Sequence, residues 1–134
     1  MNASDIMTTG VISVQPDSTV QHLAQVLTEG GISGAPVVDG DGRLVGIVSE
    51  ADVIAKHGRT VADLMQPAVV TIHPDTSVRE ACCVMTRNQV NRLPVVRDGA
   101  IVGIITRSDV VRAIASGSFG MDGTEDAPRT DLPA

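Results

Sequence analysis

Residues 46–52 read Gly46-Ile47-Val48-Ser49-Glu50-Ala51-Asp52, and residues 103–109 read Gly103-Ile104-Ile105-Thr106-Arg107-Ser108-Asp109. Both are an apolar run, a hydroxyl residue and, three positions later, an aspartate, 57 residues apart. The match extends outward on both sides. Upstream, Asp5-Ile6-Met7 returns as Asp63-Leu64-Met65, Val14-Gln15-Pro16-Asp17 as Ile72-His73-Pro74-Asp75, and Ala35-Pro36-Val37-Val38 as Leu93-Pro94-Val95-Val96, all 58 apart. One residue is lost between, in a turn. A register held this long marks a duplication, with one repeat over residues 1–58 and the other over 59–116.

Each repeat reads as strand, helix, strand, strand, helix, so the fold class is α/β (α+β) with two pseudo-two-fold related β-α-β-β-α units. Val11–Val14 and Val69–Ile72 are short β-branched runs that Pro16 and Pro74 stop, since proline has no ladder donor. Asp17-Ser18 and Asp75-Thr76 offer helix N-caps. The helices then carry apolar residues at i, i+3, i+4 and i+7: Val20, Leu23, Ala24 and Leu27, and Val78, Ala81, Cys82 and Met85. Gly30-Gly31 is a left-handed stop for the first. A hairpin follows, turning at Asp39-Gly40-Asp41-Gly42 in one repeat and at Asp98-Gly99, a strong hairpin signal, in the other. The last helix starts near Ser49 or Thr106. Units of this size, read as parallel-sheet-like, leave apolar surface exposed alone and are expected to pack on one another. The Gly, Pro and acid-rich stretch 117–134 is expected to be a disordered tail.

The chain has 134 residues, 43% of them hydrophobic, but one Phe and neither Trp nor Tyr. Without aromatic platforms it cannot stack bases as single-strand binders and RRM-like readers do. The formal charge of −6, with no basic stripe, speaks against DNA or an anionic membrane as partner. The charge is uneven: residues 1–58 are net −5, residues 59–116 net +2, so a small anion suits the second repeat. No run is apolar enough to span a bilayer and the first residues do not form a signal peptide; a cytoplasmic location is expected. Cys82 and Cys83 are adjacent, a spacing for neither a disulfide framework nor zinc, and read as buried helical thiols. His22, His57 and His73 are scattered, so no metal site is expected. No nucleophile with a matching base appears, so catalysis has no residues to carry it.

The repeated hydroxyl and aspartate allow two readings. A strand entering a helix there can meet a phosphate with a hydroxyl and free N–H groups, while the carboxylate accepts ribose hydroxyls. The same Ser/Thr-x-x-Asp spacing is also a capping box, which satisfies orphan N–H groups and needs no ligand.

The repeat resembles the cystathionine-β-synthase (CBS) domain, and the tandem is similar to the pair called a Bateman module. The resemblance rests on Asp5-Ile6-Met7 and Asp63-Leu64-Met65, on Ile32-Ser33-Gly34-Ala35-Pro36-Val37-Val38-Asp39 and Val90-Asn91-Arg92-Leu93-Pro94-Val95-Val96, and on the two Gly-to-Asp stretches. It covers residues 5 to about 115. It implies a regulatory, non-catalytic module that needs no cofactor and holds an adenosyl nucleotide (AMP, ADP, ATP, S-adenosylmethionine or NAD) between its repeats. Carried over, one site would use Ile47, Ser49 and Asp52 with Met65, Val70, Val90 and Asn91; the other would use Ile104, Thr106, Ser108 and Asp109 with Met7, Ile12, Ile32 and Ser33. Arg92 and Arg107 would face phosphate, whereas Gly34 stands at the first repeat's counterpart of Arg92 and Asn91 replaces a His common in the family.

The family also implies a homodimer, here through last helices bearing Val53-Ile54 and Val110-Val111-Ile114, and a separate regulated protein as partner. The rival expectation is a ligand-free scaffold that dimerises or docks on an enzyme or transporter.

Overall fold

A computed structural model describes residues 1–120. Its elements are α1 (Ala3–Ile6), α2 (Val20–Gly30), β1 (Gly34–Val38), β2 (Leu44–Ser49), α3 (Glu50–Ala55), α4 (Val61–Leu64), α5 (Val78–Asn88), β3 (Arg92–Arg97), β4 (Ala100–Thr106) and α6 (Arg107–Ala115). The strands form two separate antiparallel pairs, β1 with β2 and β3 with β4, so the class is α+β and the parallel-sheet expectation is corrected. Two compact units result, and they are not identical with the two repeats. One comprises Val11–Val69 with Asp98–Ile101; the other comprises Met1–Gly10, Val70–Arg97 and the described residues from Val102 on.

In the first unit α2 opens on Thr19, whose hydroxyl accepts from His22 N at 3.0 Å. It closes on Gly31 at φ 61°, a left-handed residue that glycine adopts without strain. The cap thus falls one residue after the expected Ser18, whose hydroxyl accepts from Gln15 N instead. β1 and β2 pair with Pro36 opposite Ile47 and Val37 opposite Gly46. The Asp39 carboxylate fixes the turn by accepting from Asp41 N and Arg43 N at 2.9 and 3.0 Å. The expected strand at Val11–Val14 shrinks to a single parallel bridge, Val14 to Val37, made by Val14 N to Pro36 O and Val38 N to Val14 O, and the chain turns at Pro16 and Asp17 soon after. Leu23, Leu27, Ala35, Val37, Val48, Val61 and Leu64 are buried together with Val14. A buried leucine of this kind is worth about 2–5 kcal/mol against alanine.

The second unit repeats the scheme. Ser77 caps α5 by accepting from Glu80 N at 3.0 Å, and Gln89, at φ 55°, closes it. Ile72 makes one parallel bridge to Val95 where a strand was expected. The first residues of the chain belong here: Ala3 N donates to Thr76 O at 2.7 Å, Ser4 N to Pro74 O at 3.0 Å, and Val78 N to Met1 O at 3.0 Å. Ala3, Val78, Ala81, Leu93, Val95, Ile105 and Val110 share its core with Phe119. Burial of Phe119, 2% exposed, corrects the start of the expected tail: Ser118 N and Phe119 N both donate to Ala113 O. The rest of that tail, 121–134, lies outside the described residues. The short helices α1 and α4 were not expected; each closes a capping box, Asn2 with Asp5 and Thr60 with Asp63.

Candidate functional site

In the second unit β4 runs straight into α6 through Thr106, whose extended backbone (φ −116°, ψ 166°) makes it the N-cap. Thr106 N and Thr106 Oγ1 donate to Asp109 Oδ2 at 2.9 and 3.2 Å, and Asp109 N donates back to Thr106 Oγ1 at 3.2 Å. The carboxylate is 4% exposed. Its other oxygen accepts from Thr8 Oγ1 at 3.3 Å and from an Arg112 guanidinium nitrogen. Thr8 is held in place by two backbone bonds with Ile104, at 2.8 and 3.0 Å. Next to it Met7 lies on Gly103, where a Cβ would stand 2.5 Å from the Met7 sulfur; only glycine admits the thioether there.

The first unit builds the same constellation. Ser49 N and Ser49 Oγ donate to Asp52 Oδ2 at 2.9 and 3.1 Å, and Asp52 is 5% exposed. Gln66 takes the place of Thr8, exchanging two backbone bonds with Ile47 at 3.0 and 2.8 Å, and Met65 lies on Gly46. Lys56 Nζ approaches Asp52 Oδ1 to 3.0 Å and donates to Leu64 O, also at 3.0 Å. Burial pushes the Asp52 carboxyl up, but the hydrogen bonds from Lys56 and Ser49 and the lysine's charge outweigh it and hold the acid below its ordinary value.

The expected residues therefore assemble within each unit as follows. Ile104, Thr106, Asp109 and Met7 come together in one, and Ile47, Ser49, Asp52 and Met65 in the other. Arg107 and Ser108 are exposed on the first turn of α6. Arg107 N donates to Asn91 O at 3.1 Å, as Glu50 N does to Ser33 O at 2.8 Å. Val90, Asn91 and Arg107 line a groove of about 560 Å³ with Cys82, Met85 and Val110. Val70 packs on the second unit's core, and Arg92 begins β3. Ile12 and Ile32 meet over Gly30 in the first unit. Val70, Val90, Asn91 and Arg92 thus belong to a different unit from Ile47, Ser49 and Asp52, as Ile12, Ile32 and Ser33 do from Thr106 and Asp109.

Thr8, Gln66, Lys56 and Arg112 went unnoticed in the sequence. Thr8 and Gln66 could have been found, since each directly follows a repeated Asp-x-Met. The thiols are less buried than expected: Cys82 is half-buried and Cys83 exposed. Burial and the neighbouring Cys83 push the Cys82 thiol up, against a smaller pull from Arg79. Among the described residues no group of His, Cys, Asp or Glu could hold a metal ion, and no helix is long and apolar enough to cross a membrane.

Comparison with known proteins bears on these repeats directly. Inosine-5'-monophosphate dehydrogenase of Methanocaldococcus jannaschii is 40% identical over 113 residues, which make up 82% of this chain and 23% of that protein. The chain spans less than half the length of the first curated relatives it matches. Among solved structures, CBSX2 in complex with AMP superposes with a TM-score of 0.84 at 32% identity, covering 87% of this chain and 98% of that one. The CBS domain pair of protein MJ0100, in complex with 5'-methylthioadenosine and S-adenosyl-L-methionine, gives a TM-score of 0.81 at 28% identity and the same coverage. The CBS domain family matches residues 3–57 and again 61–116, and the chain belongs to that family as a tandem CBS domain protein.

Proposed function

We propose that this chain is a non-catalytic regulatory module that binds an adenosyl ligand through its repeated hydroxyl and aspartate and passes the bound state to a separate protein. The observation that carries the reading is the buried carboxylate of Asp109, set by Thr106 beside the edge residue Thr8 and the Met7 side chain. A carboxylate so placed can exchange Thr8 and Arg112 for two ribose hydroxyls. Aliphatic residues suit the two faces of a purine in a chain with almost no aromatics. Arg107, and Arg92 at the start of β3, supply the positive charge a phosphate needs. The adenosyl ligands of CBSX2 and of the MJ0100 pair support the same class here. In this reading the remaining expected residues, Ile12, Ile32, Ser33, Val70, Val90 and Asn91 with Ile47, Ser49, Asp52, Met65, Ile104 and Ser108, complete the ligand's surroundings. The protein acts in the cytoplasm as a homodimer, with Ile54 (86% exposed) and Val111 (63% exposed) covered by the second copy.

Thermal denaturation with AMP, ADP, ATP, NAD and S-adenosylmethionine tests it. A ligand selective for the folded state stabilises by about 2.7 kcal/mol at a hundredfold excess over its Kd, and at least one of them is expected to raise Tm. If none does, the ligand-free scaffold stands in its place. That second reading has its own observation: both aspartates already close capping boxes and ion pairs within the chain.

A further inference from the structure

The two carboxylates differ in what occupies their second oxygen. Lys56, the only lysine in the chain, lies one helical turn beyond Asp52 and binds two acceptors at once: Asp52 Oδ1 and the last carbonyl of α4, Leu64 O, each at 3.0 Å. The next residues are Met65, seated on Gly46, and Gln66, bonded twice to Ile47. The ammonium thus joins α3 to the segment that flanks the hydroxyl and aspartate. Withdrawing it would strand a buried carboxylate and a helix-end carbonyl together, each of which costs free energy when left without a partner.

The second repeat has no such lysine. Ala113 stands at the position equivalent to Lys56, and the cation near Asp109 comes from Arg112, three residues on. The Arg112 side chain is 71% exposed and, among the described residues, its ion pair is with Asp109 alone, so its swing into water leaves one group to be satisfied by a ligand where that of Lys56 leaves two. The hydroxyl of Thr8, the other donor, is a long 3.3 Å away. The residue after the N-cap differs too. It is Arg107 in the second repeat and Glu50 in the first, both exposed, so a phosphate near the cap is attracted at one and repelled at the other.

We propose that Lys56 closes the Ser49–Asp52 pair into a structural clasp and thereby confines a phosphate-bearing adenosyl ligand to Thr106 and Asp109 of the second repeat. This rests on the adenosyl reading above and adds which copy takes the ligand and which residue decides it.

Isothermal titration of the full chain with AMP and with adenosine tests it. The unmodified protein is expected to take one molecule of either per chain. Lys56→Met, its fold checked by circular dichroism, is expected to take two molecules of adenosine. In Asp109→Asn, AMP affinity is expected to fall by more than about tenfold. Two molecules bound by the unmodified protein, one by Lys56→Met, or undiminished AMP affinity in Asp109→Asn would each overturn the clasp while leaving the adenosyl reading intact. No binding of either probe to the unmodified protein would overturn that reading and the clasp with it. A ligand-free measurement is independent of both: carboxyl NMR titration of Asp52 should move upward in Lys56→Met, and an unmoved titration refutes the clasp.

Discussion

Thr8 and Asp109 are 101 residues apart in sequence, yet the Thr8 hydroxyl donates to the Asp109 carboxylate at 3.3 Å. A bond this long contributes modestly. Thr8→Val should lower stability by no more than about 1 kcal/mol, measured by urea denaturation, and a larger loss would mean the hydroxyl is a structural strut.

Asp109 itself separates cap from ligand group. Asp109→Ala should cost roughly 1 kcal/mol of stability, the worth of an N-terminal cap interaction, and weaken nucleotide binding far more. Equal affinities for the variant and the unmodified protein would leave Asp109 only a cap.

Gly103→Ala should be destabilising by about 1–3 kcal/mol, as overpacked sites are, because the new Cβ would stand 2.5 Å from the Met7 sulfur and 3.1 Å from Thr8 O. Combining it with Met7→Ala should recover part of the loss but not all, since the carbonyl remains. Thermal denaturation of the single and double variants reads this directly.

Acid should unfold the chain through particular carboxylates. Asp52 and Asp63 both sit below their ordinary value in the fold, Asp63 through the backbone N–H groups of Arg59 and Thr60. Their contribution is therefore complete above the unfolded carboxylate value of about 3.9 and disappears as pH falls through the folded values. Lys56→Met should flatten the Asp52 part of that dependence in a stability series from pH 7 downward.

Phe119→Ala should cost about 3–5 kcal/mol, typical of a buried aromatic, although sequence alone assigns it to a loose tail. A cost near zero in urea denaturation would contradict its place in the core.

Phe119 also marks where sequence reading stops. The repeat, the hairpins, the helices α2, α3, α5 and α6 and the N-caps Ser49 and Thr106 are legible because their signals are local: apolar spacing, turn residues and a hydroxyl three positions before an aspartate all lie within a few residues. A lone Phe among Gly and Ser carries no period, so its burial is invisible until Ala113 O is seen accepting from its backbone. The same holds for Val11–Val14, where β-branched residues suit a strand but a single pairing with Val37 forms. Lys56 is missed for another reason: one of its two acceptors, Leu64 O, is a backbone carbonyl, which no motif encodes. Thr8 has a signal, its place directly after a repeated Asp-x-Met, but its partner Asp109 lies too far along the chain for spacing to show.

The exchange of the first ten residues into the company of residues 70–97 has a consequence for synthesis. Residues 1–10 find their partners only once residues 70–97 have been made, so during synthesis they wait, unpacked, while the stretch between them is translated. Nor would severing the polypeptide after Gly58 yield two self-sufficient halves: one would carry an orphaned amino terminus, and the other would take Asp98–Ile101 away from the strand that Gly99 pairs with at Leu44.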